Sequence, residues 1–295
     1  QEVCEREGVD KEELPTQVPW IGIEEVPLVL PWCIFDCFAS ISFLPWWKQN
    51  TSYMSRRTTA IAAALSVLAI GSPLMTGCAN PLVTQYFNQG VEKYEAGNYQ
   101  EAIDDWSKAI KINPQNATIY YNLGLAKYDL NDYQGAIADY NKAIDIDPKY
   151  ADAYSNRGVA KKDLGNAQGA IIDYNKAIEI NPQYAIAYFN RGNVKGELKD
   201  YQGAIADFSK AIEINPQYAD AYSNRGIAKS DLKDYQGAIA DFSKTIEINP
   251  QHSLAYNNRG LVKAFANDLD GACDDGRKAV DLGHQSAAEW VKKEC

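Results

Sequence analysis

A proline returns every 34 residues in the second half of the chain, and this period constrains the fold more than any other feature. The same short phrases, such as AIDIDP and AIEINP, surround successive prolines. Self-similarity at a period of a few tens of residues is typical of a solenoid, in which each unit buries its apolar face only against its neighbours. The sequence therefore predicts a stack of equal units over residues 83–284. The prolines that mark the period are Pro114, Pro148, Pro182, Pro216 and Pro250.

Each unit has the pattern of two helices that pack closely. With the proline at position 32, position 4 is tyrosine, position 8 glycine and position 20 alanine in all six copies, and position 24 is aromatic in the first five. Large rings that face small residues let two helices approach and interlock. Asn or Asp at position 16 can cap the second helix, and no alternating strand pattern occurs after Val83. The copies begin at Val83, Ala117, Ala151, Ala185, Ala219 and Ser253.

This pattern resembles the tetratricopeptide repeat, over residues 83–285. The resemblance implies an all-α fold: a right-handed α-α superhelical solenoid of about six helix pairs. The last copy is degraded, because Gly276 stands at the aromatic position and His284 at the proline position. Residues 285–295 have an amphipathic pattern, and we predict that they form a capping helix over the last apolar face.

Residues 54–77 have the order of a secretory signal, with a basic start, the apolar stretch Ala60–Ile70 and small residues at the end. The sequence MTGC that ends at Cys78 resembles the lipobox of bacterial lipoproteins, which implies that Cys78 carries lipid and becomes the N-terminus. Cleavage after Ala79 and an uncleaved membrane helix remain alternatives. The expected location is the bacterial cell envelope, lipid-anchored and facing the periplasm, or alternatively outside the cell.

Residues 1–53 differ from the rest of the chain. They contain nine acidic and three basic residues, show no period, and precede the first methionine, Met54. Our interpretation is an upstream extension that is not native protein or is disordered, and the rival is a real cytoplasmic or membrane-associated extension. Cys33 and Cys37 have helical spacing but no histidine nearby, so no metal site is predicted.

The inventory of side chains does not indicate an enzyme. The two histidines, His252 and His284, have no partner at a spacing known from catalytic triads or metal sites. Aspartate recurs at position 23 of every copy, which favours a structural role. No catalytic residue, metal or cofactor is therefore expected. Of the formal net charge of −10, residues 1–53 carry −6 and residues 54–77 carry +2, which leaves −6 for the chain from Cys78 onward. This acidic charge argues against nucleic acid and anionic membrane surfaces as partners, so membrane contact is expected through the lipid anchor only.

The family resemblance implies a concave groove lined by positions 2, 5, 6, 9, 12 and 13 of the first helices. Position 6 is asparagine in all six copies, and a row of carboxamides can donate to and accept from an extended peptide backbone. Asparagine is also common at this position in members for which no ligand is implied. The predicted row is Asn88, Asn122, Asn156, Asn190, Asn224 and Asn258.

Aromatic residues at positions 5 and 12 predict a second feature of the groove. In the first two copies they are expected to form an exposed cluster that anchors apolar side chains of a partner. Stacking between adjacent copies is the alternative. The predicted residues are Phe87, Tyr94, Tyr121, Tyr128 and Phe189. The predicted function is a non-enzymatic scaffold that binds a protein or an extended peptide, with an accessory lipoprotein of an envelope assembly or transport machine as the alternative.

Arginine occupies position 7 in copies 3 to 6, where the family usually has leucine. These arginines either pair with the aspartates at position 23 or reach a carboxylate of a partner, and the even spacing favours pairing. Thr118 and Asp152 occupy positions where a clamp for a terminal carboxylate would need lysine, so no such clamp is predicted. The four residues are Arg157, Arg191, Arg225 and Arg259.

Two cysteines lie near the end of the chain. Cys273 occupies a core position that is isoleucine in the other copies, 11 residues before His284, and Cys295 lies 11 residues after it. If the turn centres there, two antiparallel helices of equal rise bring both cysteines to the same height. In an oxidising periplasm this predicts a disulfide between Cys273 and Cys295. A buried free thiol with a frayed terminal cysteine is the alternative.

Overall fold

The computed structural model describes residues Asn80–Cys295. The described part is helical throughout, with six pairs of consecutive helices and one further helix at the end. The helices are α1 (Pro81–Glu95), α2 (Tyr99–Ile112), α3 (Ala117–Asp129), α4 (Tyr133–Ile146), α5 (Ala151–Asp163), α6 (Ala167–Ile180), α7 (Ala185–Glu197), α8 (Tyr201–Ile214), α9 (Ala219–Asp231), α10 (Tyr235–Ile248), α11 (Ser253–Phe265), α12 (Leu269–Asp281) and α13 (Ser286–Glu294).

The pairs stack in chain order. Each helix packs against the helices before and after it, and the first helices of neighbouring pairs also contact one another from α3 to α11. These first helices therefore form the inner layer of the stack, and the second helices form the outer layer. The predicted all-α solenoid is confirmed, and its inner layer carries the positions that the sequence assigns to the groove.

Glycine and aromatic side chains set the distance between the two helices of a pair. A Cβ atom on Gly124 would lie 2.5 Å from the ring of Tyr140, and one on Gly158 would lie 2.8 Å from the ring of Tyr174. The aromatic residues at this position are almost completely buried, and the alanines at position 20 are fully buried. Because glycine leaves room for the ring, the helices interlock at close range.

A side-chain cap starts the second helix of five pairs. The carboxylate of Asp132 accepts from the backbone N–H of Gly135 at 2.9 Å, and equivalent bonds start α6, α8, α10 and α12. Asn98 makes no such bond at the start of α2. Glu101 stands where the other copies have glycine, and a Cβ atom on Gly135 would lie only 2.1 Å from the Asp132 carboxylate. A side chain at that position therefore excludes the cap.

The arginines at position 7 form buried ion pairs within their own helix pairs. Arg157 donates to both carboxylate oxygens of Asp173 at 2.9 and 2.6 Å, and Lys161 lies 2.8 Å from the same carboxylate. The same arrangement recurs at Asp207, Asp241 and Asp275. The predicted pairing is confirmed, and it engages these arginines inside the solenoid.

The first two copies lack the arginine, and their aspartates have different pKa values. Burial favours the neutral form of Asp105, but hydrogen bonds from Lys108 and Lys93 at 2.7 and 2.6 Å outweigh it and lower the pKa. At Asp139, burial outweighs the contact with Lys127, and the pKa is raised. The sign of the shift depends on how many lysines reach the carboxylate.

The last pair carries the end of the solenoid. A Cβ atom on Gly276 would lie 2.7 Å from Val291 and 3.0 Å from Trp290, so α13 packs directly where the other copies have an aromatic ring. The structure joins Cys273 and Cys295 by a disulfide with a sulfur–sulfur distance of 2.04 Å. The terminal helix is therefore held to α12 both by packing and by a covalent bond.

None of the helices within residues 80–295 has the length and apolar character needed to cross a membrane. The predicted signal segment 54–77, the candidate lipid-bearing Cys78 and the extension 1–53 lie outside the described residues.

Candidate functional site

The inner face contains a cavity of about 330 Å³ built from five successive copies. Its walls come mostly from the first helices α1, α3, α5, α7 and α9, and its floor includes one residue of the second helix α4. The lining is rich in tyrosine. The lining residues are Tyr94, Tyr121, Leu125, Tyr128, Asp129, Tyr140, Ser155, Asn156, Val159, Tyr184, Ile186, Phe189, Asn190, Tyr218 and Asp220.

The cavity brings together many of the residues that the sequence assigns to partner binding. These residues are Tyr94, Tyr121, Tyr128, Asn156, Phe189 and Asn190. Asn224 instead lines a second cavity of about 320 Å³, further along the inner face, with Asn193 and Ile227. The other predicted residues, Phe87, Asn88, Asn122 and Asn258, line neither of these two cavities.

The asparagines at position 6 are not equivalent. Asn88 is exposed, whereas Asn122 is only 7% exposed. The amide of Asn156 donates to the hydroxyl of Tyr121 at 2.8 Å, and the amide of Asn224 donates to the side-chain oxygen of Asn193 at 2.8 Å. Asparagine therefore recurs in every copy, but some of these side chains are buried or hydrogen-bonded within the protein.

The expected exposure of the aromatic cluster is wrong for Tyr94 and Tyr121, which are 9% and 3% exposed. The ring of Tyr121 lies 4.9 Å from Tyr150 and 5.9 Å from Tyr140, between centroids. Tyr94 packs in the same way against Tyr99 and Trp106. Ring packing covers most of each side chain, so these residues present only an edge to the cavity.

Position 34 contributes a set of residues that sequence reasoning missed. The ring of Tyr218 lies 4.8 Å from Phe189, and the hydroxyl of Tyr184 donates to Asp152 at 2.5 Å. Both tyrosines line the cavity. The signal for them was the same 34-residue period, since this position is Tyr150, Tyr184, Tyr218 and His252 in successive copies.

Tyrosine hydroxyls connect one copy to the next across the inner face. The hydroxyl of Tyr94 donates to Asp129 at 2.5 Å, and that of Tyr128 donates to Asp163. In the following copy, Lys162 and Glu197 occupy the equivalent positions and lie 3.4 Å apart. A phenol is a neutral donor, so it orients the carboxylate without cancelling its charge.

The inner face is strongly acidic. Positions 2, 5, 6, 9, 12 and 13 of the six first helices carry seven acidic residues and one basic residue, Lys162. Burial, followed by the charge of Asp152, raises the pKa of Tyr121 and Tyr184 well above the usual value. Both phenols therefore stay neutral. The acidic residues are Glu95, Asp129, Asp152, Asp163, Glu197, Asp220 and Asp231.

Within the described range, the structure holds no group of His, Cys, Asp and Glu side chains with the arrangement of a metal site. The acidic residues of the inner face alternate with tyrosine and asparagine instead of converging on one point. The chemistry that this surface offers is therefore hydrogen bonding, aromatic contact and negative charge.

Comparison with known proteins agrees with the architecture. Models of the tetratricopeptide repeat match residues 90–131, 124–165, 160–199, 185–218 and 219–252. One solved structure of MamA protein is 30% identical, with 58% of this chain and 94% of that chain covered and a TM-score of 0.53. No curated protein matches the chain.

Two further structures support the fold alone, because their identity is low. YrrB, described as a TPR protein with an unusual peptide-binding site, is 24% identical, covers 63% of this chain and 97% of its own, and has a TM-score of 0.55. PilF of Pseudomonas aeruginosa is 18% identical, and the match covers 72% of this chain and 98% of PilF with a TM-score of 0.63. Together with the repeat matches, the stacked helix pairs show that the chain belongs to the tetratricopeptide repeat family.

Proposed function

We propose that the protein is a binding scaffold that holds an extended segment of a partner protein along its inner face. The observation that carries the proposal is the cavity in which predicted residues from four copies meet. A groove assembled from successive copies gives a partner many weak contacts in a row. Membership of a family of interaction scaffolds supports the proposal but does not identify the partner.

The lining offers two kinds of contact to an extended chain. Asn156 and Asn190 place carboxamides, which both donate and accept, beside aromatic side chains such as Phe189. An extended backbone presents its own N–H and C=O groups at regular intervals, and its side chains alternate in direction. Carboxamides can therefore hold the backbone while the aromatic wall contacts every second side chain.

A catalytic step is not part of this proposal. The acidic residue that recurs in every copy, aspartate at position 23, lies in an ion pair with lysine or arginine in each of the six copies. This supports a structural role for the most regular acidic feature of the sequence. The scaffold would work by holding its partner in place.

Site-specific photocrosslinking tests where the partner binds. A photoreactive phenylalanine analogue replaces Phe189 on α7, which lines the cavity, and in a second variant replaces Ala206 on α8, which is exposed on the outer layer. Both variants are expressed in the native host and irradiated, and the crosslinked proteins are identified by mass spectrometry. We expect the same partner to be captured from Phe189 in repeated experiments and not from Ala206.

Replacement of Asn190 by alanine gives the matched test of the carboxamide. Loss of one backbone contact costs about 1 kcal/mol, or roughly five-fold in affinity, while helical content stays unchanged.

In the crosslinking experiment, specific capture from Ala206 with none from Phe189 would place the binding surface on the outer layer and contradict the proposal. Equal capture from both sites would contradict it as well.

We also propose that the scaffold is lipid-anchored in the bacterial envelope through Cys78. The sequence MTGC and the apolar segment before it support this location. The disulfide between Cys273 and Cys295 supports it independently, because such bonds persist in oxidising compartments. Growth with a labelled fatty acid should label the protein, and Cys78→Ser should abolish the label. Labelling that survives this substitution would contradict the anchor.

A further inference from the structure

We propose that the cavity of the inner face receives a positively charged side chain, arginine or lysine, from the partner's extended segment. This inference rests on the proposed function, because it names the chemistry of the segment that the scaffold would hold. It follows from three features of the cavity: its charge, its aromatic wall and a tyrosine hydroxyl at its floor.

The charge of the inner face selects for a cation. Asp129 and Asp220 both line the cavity, and the side chain of Asp220 is 66% exposed. Within residues 80–295, the lysine or arginine that forms ion pairs at this face is Lys162, and it contacts Asp163 and Glu197 instead. Asp220 also lies 3.9 Å from Nε2 of His252, a contact that offsets charge only when this imidazole is protonated. Within the described residues, no lysine or arginine of the inner face pairs with the cavity carboxylates, so a cation from a partner would complement them.

The aromatic wall suits the same ligand. Tyr128, Tyr184 and Phe189 line the cavity, beside the ring edges of Tyr94 and Tyr121. A guanidinium or ammonium group is attracted to the face of an aromatic ring, and the apolar stem of arginine or lysine packs well against such a wall. An acidic side chain would gain neither contact and would meet repulsion from the carboxylates.

The floor of the cavity carries the hydroxyl of a tyrosine that makes no hydrogen bond within the described residues. Tyr140 is only 1% exposed and lines the cavity. Its ring packs against Tyr121, but its hydroxyl makes no hydrogen bond within residues 80–295. Phenylalanine occupies the same position in copies 4 and 5, as Phe208 and Phe242. The hydroxyl oxygen is not sealed from the cavity, so it can accept a hydrogen bond from a donor that enters.

Two carboxylates are held in place before a ligand binds: Asp129, which lines the cavity, and Asp152, which bonds to a tyrosine of the lining. The hydroxyl of Tyr94 bonds to Asp129 at 2.5 Å, and that of Tyr184 bonds to Asp152 at 2.5 Å. Each bond uses one lone pair of its carboxylate and leaves the charge and the remaining lone pairs available. Preorganised acceptors of this kind lower the cost of binding a cation.

Binding of three synthetic peptides to the full chain tests the proposal. The peptides have about twelve residues, extend to about 40 Å, and carry arginine, citrulline or glutamate at the same positions in a glycine–serine background. Citrulline has the shape of arginine without its charge. Anisotropy of a neutral fluorophore on each peptide gives the dissociation constant. We expect the arginine peptide to bind about ten-fold more tightly than the citrulline peptide, and the glutamate peptide to bind most weakly.

Two variants locate the binding site. Asp129→Asn combined with Asp220→Asn should weaken the arginine peptide about ten-fold. Its control is Glu213→Gln combined with Glu247→Gln, which removes the same charge from exposed positions of the outer helices and should have no effect.

Tyr140→Phe should weaken binding of the arginine peptide about three-fold without loss of stability, whereas Tyr174→Phe, at the same position one copy further, should leave binding unchanged.

Each result decides the proposal. Equal affinity of the arginine and citrulline peptides would overturn it while leaving groove binding of a neutral segment intact. Equal loss in the inner and outer charge variants would overturn it by showing general attraction to an acidic protein. Failure of all three peptides to bind would overturn it too, and the crosslinking from Phe189 would decide separately whether the groove binds a partner at all.

Discussion

At the scale of single residues, the turn inside each helix pair makes the most specific demand on the backbone. Position 15 has a positive φ in all six copies, between 62° and 80°. Glycine meets this demand without strain in copies 1 and 3, and asparagine, which tolerates the left-handed region, meets it in copies 2 and 6. Copies 4 and 5 place Lys199 and Lys233 there, with φ of 62° and 64°.

Replacing Lys233 by glycine is expected to stabilise the protein. The substitution removes the steric conflict of a Cβ atom at positive φ, and we expect the free energy of unfolding to rise by about 0.5–1 kcal/mol. Urea denaturation followed by circular dichroism measures the change. Lys233→Ala is the control, since it keeps the Cβ atom and should give no gain. An equal gain from alanine would show that the lysine side chain, and not the backbone, is responsible.

At the scale of helices, the same ion pair is built with different partners along the stack. Copies 3 to 6 surround the position-23 aspartate with an arginine and a lysine, as at Asp173. Copy 2 has Leu123 in place of the arginine, and Asp139 is left with Lys127. Copy 1 supplies two lysines to Asp105. These differences should appear in the pH dependence of stability.

Asp105→Asn and Asp139→Asn are expected to have opposite pH profiles. The pKa of Asp105 is lowered, so its contribution to stability is present above the usual value near 3.8 and is lost as pH falls. The pKa of Asp139 is raised, so its charged form destabilises the fold above that raised pKa, and this cost disappears as pH falls. Relative to the unmodified protein, Asp105→Asn should therefore be less stable at pH 7, and Asp139→Asn more stable.

Unfolding free energies in urea between about pH 3 and 7 give the measurement, and both differences should shrink at the acidic end. Profiles that run parallel to that of the unmodified protein would contradict the assigned shifts. Asp104→Asn is the control, because this neighbour of Asp105 is exposed and its carboxylate accepts a hydrogen bond from the uncharged Gln100.

At the scale of the whole molecule, the described part behaves as a one-dimensional stack. Each helix packs mainly against its neighbours in the chain, so the effect of a local change should not spread over the whole length. The C-terminal end combines the packing of Trp290 against Gly276 with the disulfide between Cys273 and Cys295. Together these contacts protect the apolar face that the last copy would otherwise expose.

Cys295→Ser is expected to destabilise one end of the stack and leave the middle unchanged. The disulfide closes a segment with a sequence separation of 22 residues, and its loss should cost about 3 kcal/mol locally. Hydrogen exchange should then become faster in α11 to α13 and stay the same in α3 to α7. Under reducing conditions the unmodified protein should show the same pattern. Faster exchange along the whole stack would contradict the one-dimensional picture.

The 34-residue period by itself determined the fold class and the number of helix pairs, whereas the inner position of the first helices was implied by the family resemblance. The fold class and the number of pairs follow from local rules, because proline, glycine and a ring at fixed spacing act in the same way in each copy. The family resemblance also assigned Asn156, Asn190 and Phe189 to the groove side, where the cavity includes them. The period also contains Tyr184 and Tyr218 at position 34, but the groove positions implied by the family do not include this one, because it lies in the connection between copies.

Only the tertiary structure decided which of these side chains are buried or hydrogen-bonded within the protein and which are accessible from the cavity. Burial of Tyr94 and Tyr121 depends on rings from neighbouring elements. The hydrogen bond from the amide of Asn156 to the hydroxyl of Tyr121 depends on the distance between two copies. The sequence could not distinguish Tyr140, which lines the cavity, from Tyr174, which occupies the same position in the next copy and does not line it. A repeat pattern specifies what each copy contributes, whereas the contacts between unlike copies depend on their stacking in space, and these contacts form the binding surface.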